Sequence, residues 1–148
     1  MNNFQSQGKK ISHTHINTLL NSVEKSFSLS NQTKPVVLIF WATWCAPCEL
    51  ELNRINNWLS KNPQFINNIV AISSFETEDV IRKISVQRQY KFPIASDITG
   101  ELSKSFQIQG TPTIILIDTK GYITWRTTGI SPTLEFRLYS FLTNSNSQ

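Results

Sequence analysis

The run "VVLIFW", residues 36–41, constrains the fold more than any other stretch. It is six apolar residues long, β-branched and aromatic, with no polar alternation. That pattern predicts a central strand buried on both faces. A strand of this kind needs a layer packed on each side of its sheet, so the chain must supply helices that flank a sheet. With 148 residues and 39% hydrophobic content, it has enough material for one domain with one core.

The segments that follow supply those layers. A helix is predicted from Ala46, with Pro47 in its first turn, where a missing N–H costs little, and an inner stripe of Leu52, Ile55 and Leu59. Residues 68–75 read as a second buried strand and 78–90 as a helix through Val80, Ile81 and Ile84. "FPIASD" is a short extended piece and "GELSKSF" a short helix. Residues 111–118 and 122–128 read as strands joined by a turn into a hairpin. Ser131 and Pro132 are expected to cap a last helix, with Leu134, Leu138 and Phe141 inward. Upstream, Ile16, Leu19, Leu20, Val23 and Phe27 fall at helical spacing, which predicts an amphipathic helix over 15–29. A short strand is expected at "KKIS". The expected division is an N-terminal extension over 1–33, a main domain over 34–142 and a disordered tail over 143–148. The order strand, helix, strand, helix, hairpin, helix implies an α/β fold, a mixed sheet with helices on both faces.

The net charge is +4, but only 16% of residues are charged and no Lys/Arg block occurs. Nucleic acid is therefore not an expected partner. No apolar run reaches the ~20 residues of a membrane span. The start, "MNNFQSQGKK", lacks the apolar middle of a secretory signal. Two readings follow: a cytosolic chain, or one from which a signal or membrane anchor has been removed.

Both cysteines lie in "WCAPC". Cys45 precedes the predicted helix and Cys48 lies in its first turn, close enough to bridge. Free N–H groups and the positive end of the helix dipole stabilise an anion at Cys45, which suits a thiolate nucleophile. Cys48, on the inner side, suits the resolving thiol. Two alternatives stand beside this working dithiol. A metal site needs two further ligands, and only His13 and His15 are on offer outside the motif, with nothing tying them to Cys45. No metal or other cofactor is expected. A purely structural disulfide would close a loop too small to remove much unfolded-chain entropy.

Glu51 raises its own question. Positions 48, 51 and 55 share one helix face, so Glu51 lies between Cys48 and Ile55. A carboxylate in that apolar stripe is expected to have a raised pKa and to exchange a proton with Cys48. The alternative is that Glu51, like Glu49, complements the helix N-terminus.

"VVLIFWATWCAPC", followed by "QGTPTIILID", resembles the thioredoxin superfamily. "FWATWCAPC" with "CELE" is most similar to the TlpA-like branch, extracytoplasmic thiol–disulfide oxidoreductases that include reductases of cytochrome c maturation. The resemblance covers roughly residues 34–142. It implies a thioredoxin fold, attack by Cys45, resolution by Cys48 and a cis peptide before Pro112 facing the dithiol. It also implies a functional acid three residues after the second cysteine, which Glu51 matches. The buried Asp of ordinary thioredoxins would fall at Ile39 and is absent. Relatives usually open with a strand-rich segment, and here the helical spacing of 15–29 takes its place.

The expected function is therefore a thiol–disulfide oxidoreductase, favouring reduction. "AP" between the cysteines holds no cation, and Glu49 and Glu51 oppose a thiolate, so the reduced form is less stabilised. Thr111 and Pro112 are expected to bind partner backbone, and Trp44, Ala46 and Pro47 to form the docking surface around the cysteines. Expected partners are protein disulfides and a thiol donor protein, met by a monomer in an extracytoplasmic compartment. The rivals are an oxidase or isomerase of the same fold, and a metal- or partner-binding module.

Overall fold

Alternation along the apolar strands sets the layers. The computed structural model describes residues 8–11, 15–29 and 34–145. In β3 (Val36–Trp41), Val37, Ile39 and Trp41 point into one cluster and Val36, Leu38 and Phe40 into another. The first cluster takes Leu52, Ile55 and Leu59 of α1 (Ala46–Lys61), Ile81 of α2 (Glu78–Gln87), and Leu134, Leu138 and Leu142 of α4 (Leu134–Ser145). The second takes Phe106 and, partly buried, Leu102 of α3 (Glu101–Ser105). All six β3 residues are buried, and each fully buried large side chain is worth about 1.5–3 kcal/mol. The expected α/β architecture, a mixed sheet with helices on both faces, is what forms.

Among the described residues the sheet has seven strands, in the order β2-β1-β5-β4-β3-β6-β7. The remaining strands are β1 (His15–Leu20), β2 (Ser26–Ser28), β4 (Ile69–Ser74), β5 (Ile94–Asp97), β6 (Thr113–Ile117) and β7 (Ile123–Thr128). The β3–β4 and β4–β5 pairs are parallel. The β3–β6 and β6–β7 pairs are antiparallel. Phe40 lies opposite Thr113. The end of β3 and the start of β6 therefore meet at one end of the sheet. That register brings the segment after Trp41 beside the segment before Thr113.

The amphipathic helix expected over 15–29 is not formed. β1 and β2 are an antiparallel hairpin there, and β1 also pairs with β5, with Leu20 opposite Ile94. Without β1, β5 would present an open edge of unpaired backbone groups. Pairing that edge outweighs a helical spacing whose apolar residues are separated by Asn, Thr and Ser, all weak helix formers. Ile16 and Leu29 are buried, whereas Val23, at the turn, is 86% exposed. The Asn21 side-chain amide donates to the Tyr90 and Phe92 carbonyls and fastens the hairpin to the body. A strand-rich opening is thus present after all, and it shares the sheet of the main domain.

Smaller corrections follow. Thr143–Ser145 continue α4 rather than starting a disordered tail, and 146–148 lie outside the described residues. Of "KKIS", the described part forms one bridge, Lys10 with Tyr122. Val80 of α2 is 43% exposed rather than inward. Among the described residues, no helix is long and apolar enough to cross a membrane.

Candidate active site

Chain direction leaves β3 at Trp41 and enters α1 at Ala46, so four residues must turn the backbone. Cys45 caps the helix in an extended conformation (φ −95°, ψ 107°), with Pro47 in the first turn. The Cys45 N–H donates to the Ala42 carbonyl at 3.2 Å, closing the turn. Cys45 and Cys48 are joined as a disulfide, their Cα atoms 5.2 Å apart. The Cys48 N–H donates to Cys45 Sγ at 3.2 Å. Cys45 is 6% exposed and Cys48 fully buried. A partner thus has access to Cys45 first.

The second wall is the segment before β6. The Thr111–Pro112 peptide is cis, as the family resemblance implies. The Thr111 hydroxyl donates to Cys45 Sγ at 3.5 Å, and the Thr111 carbonyl oxygen lies 3.6 Å from the same sulfur. The Thr113 hydroxyl donates to the Gly110 carbonyl, and the Gly129 N–H to the Pro112 carbonyl, which secures the segment from both sides. Trp44, Ala46 and Pro47 are exposed around the cysteines, Thr111 is half-buried and Pro112 buried.

Glu51 is fully buried, as its place in the inner stripe predicts. Its carboxylate has two partners there. Arg54 Nη1 donates to Glu51 Oε1 at 2.6 Å, and the Ser131 N–H donates to Oε2 at 3.0 Å. A guanidinium and a backbone donor offset the cost of burying the charge. Ser131, read as a helix cap, serves this carboxylate instead, and α4 begins at Leu134. Glu49 is partly exposed and lies 3.5 Å from Arg88.

Three residues of the site were missed from sequence. Arg54 could have been found: it stands three residues beyond Glu51, on the same helix face. Glu76 and Arg88 carry no local signal. The Glu76 carboxylate accepts from the Thr43 N–H, the Thr43 hydroxyl and the Ser73 hydroxyl. Arg88 Nη2 donates to the Thr43 carbonyl at 3.1 Å. Together they grip the turn that delivers Cys45. As for the alternative metal ligands, His15 is exposed at the start of β1, and His13 lies outside the described residues. Among the described residues, no group of three or more His, Cys, Asp or Glu is placed to hold a metal ion.

A family model described as the AhpC/TSA family matches residues 8–126. The chain belongs to the AhpC/TSA family. Its match begins before β1, so the hairpin and the dithiol domain fall under one family description. Among curated proteins this AhpC/TSA member is similar to the thiol-disulfide oxidoreductase ResA of Bacillus thuringiensis. The two are 37% identical over 90 residues, 61% of this chain and 52% of ResA. The chain spans about half the length of that relative. It is also similar to a thioredoxin-like protein of Haemophilus influenzae, 35% identical over 116 residues, 77% of this chain and 67% of the other. Among solved structures, StoA from Bacillus subtilis superposes with a TM-score of 0.71 at 23% identity, covering 87% of this chain and 98% of that one. The thioredoxin fold and the TlpA-like branch of the thioredoxin superfamily are thereby borne out.

Proposed function

We propose that the protein is a thiol–disulfide oxidoreductase that reduces disulfides in other proteins. The observation that carries this is the placement of Cys45 Sγ. It sits at the N-terminus of α1 and receives the Cys48 N–H and the Thr111 O–H. Both donors favour a thiolate once the disulfide is opened. The names of the curated relatives support the same chemistry.

The reaction runs in two exchanges. The Cys45 thiolate attacks one sulfur of a partner disulfide, forming a Cys45–partner bond as the partner's other sulfur leaves as a thiolate. Cys48 then gives up its proton, and its thiolate attacks Cys45 Sγ. The Cys45–Cys48 disulfide forms and the second partner thiolate leaves. Two electrons pass to the partner, and a dithiol donor protein returns the enzyme to its reduced form. Glu51, buried on the Cys48 face, is assigned to the Cys48 proton. Thr111 and Pro112 are assigned to the partner's backbone, which an extended strand would present in a sequence-tolerant way.

Reduction is favoured because the donors to Cys45 Sγ are neutral. The nearby cations are engaged elsewhere, Arg54 with Glu51 and Glu135, and Arg88 with Glu49. A weakly stabilised thiolate makes a better reductant. The family's extracytoplasmic setting is proposed for this chain as well, acting as a monomer. The test is insulin reduction with dithiothreitol as donor, together with a glutathione redox titration. The expected results are turnover that Cys45→Ser abolishes and a potential nearer ~−270 mV than ~−120 mV. Absence of turnover would reject the oxidoreductase assignment, and a potential near −120 mV, on the order of DsbA's, would reject only its direction.

A further inference from the structure

Beside the dithiol a cleft of about 230 Å³ opens between the loop after β3, the end of β4 and the segment before Pro112. Trp44, Phe75, Ile108, Gly110 and Thr111 are among its walls, and none of its lining residues is ionisable. Thr111 makes the cleft continuous with the reacting sulfur, since its hydroxyl touches Cys45 Sγ.

Two aromatic rings stand exposed at this cleft, Trp44 at 78% and Phe75 at 71%. Phe75 is also held at φ 65°, the left-handed region that residues with side chains seldom adopt. Its N–H donates to the Asp97 carbonyl at 2.9 Å, so the backbone geometry is pinned from β5. The ring rests on Gly100, itself at φ 78°, where an added Cβ would lie 2.1 Å from the ring. A turn needed only for connectivity is satisfied more cheaply by Gly or Asn at position 75. A bulky ring kept exposed, strained and seated on a glycine beside a reactive centre points to a use for the ring.

We infer that Phe75 and Trp44 frame a specificity pocket for an uncharged, apolar side chain next to the reacting cysteine of a partner polypeptide. The inference rests on the oxidoreductase assignment. An extended chain advances about 3.3 Å per residue, so the neighbour of the partner's cysteine reaches the cleft while its sulfur meets Cys45. The lining has no charge with which to hold an acidic or basic side chain.

The test uses two synthetic peptides, each with its cysteine capped by glutathione, differing only in a Leu or a Ser beside that cysteine. The rate at which the reduced protein attacks each is followed by stopped flow. The wild type should prefer the Leu peptide about tenfold, the scale of burying one aliphatic side chain. Phe75→Ser and Gly100→Ala should each cut that preference to about twofold or less. Phe136→Ser, which removes an exposed ring on α4, should keep it. A wild type without preference, or a preference that survives Phe75→Ser, overturns the pocket. A wild type that reacts with neither peptide nor glutathione disulfide overturns the oxidoreductase assignment itself.

Discussion

Arg54 Nη1 and Glu51 Oε1 meet at 2.6 Å in the helix that carries both cysteines at its start. Arg54 reaches further: its guanidinium donates to the Ser131 carbonyl at 2.8 Å and to the Glu135 carboxylate. One side chain thus joins the carboxylate buried near Cys48 to the start of α4.

Removing that side chain leaves a buried anion with a single backbone donor. Arg54→Met should cost about 2–3 kcal/mol of stability, toward the lower end for breaking a buried pair because Arg54 is itself 23% exposed. Urea unfolding at neutral pH measures it. The double variant with Glu51→Gln should cost clearly less than the sum of the two single changes, because both remove the same pair. Additive costs would show that the pair is not a unit.

The same cluster sets a response to acid. The Arg54 hydrogen bond holds the Glu135 carboxyl below its ordinary value of 4.5. A carboxyl depressed in the folded state stabilises it fully above that ordinary value, and the contribution is lost as pH falls through the folded value. Glu135→Gln should flatten the stability slope below about pH 4.5 and leave the slope above pH 6 unchanged. The effect should be modest, since Glu135 is 44% exposed and screened by solvent. Denaturant midpoints at several pH values decide it.

Glu51→Gln should move the pH profile of thiol reactivity. Taking a negative charge away from the Cys48 face makes a thiolate there easier to form. The alkylation rate of the reduced protein should therefore rise at lower pH than in wild type, while the fold persists. Overlaying profiles would reduce Glu51 to a structural partner of Arg54.

Glu76 has a testable role in shaping the turn. Glu76→Ala withdraws the acceptor for three donors and should cost about 1–3 kcal/mol. Glu76→Gln keeps an oxygen and should recover part of that loss. Thermal unfolding compares the two, and equal costs would mean that bulk rather than hydrogen bonding holds the loop.

Much of this site was legible because its chemistry is local. The apolar run of β3, the proline in the first turn and two cysteines three apart specify a strand, a helix start and a dithiol without help from the rest of the chain. Glu51 was legible for the same reason, through helical periodicity. What was hidden depends on distant pairing. Glu76 reaches Thr43 across 33 residues, and Ser131 reaches Glu51 across 80. The segment 15–29 misled because its apolar spacing fits a helix, while its pairing with β5 decides in favour of strands. Phe75 and Gly100 could not be coupled from sequence, because their contact follows from two left-handed backbones meeting in space.

The central claim is that Cys45 attacks and Cys48 resolves. Single-cysteine variants test it directly, by trapping mixed disulfides with a protein substrate and identifying the linked residue by mass spectrometry. Cys48→Ser should accumulate a covalent complex through Cys45, since the resolving thiol is missing. Cys45→Ser should accumulate little, because Cys48 is fully buried. Equal trapping by the two variants, or a complex found mainly through Cys48, would contradict the assignment.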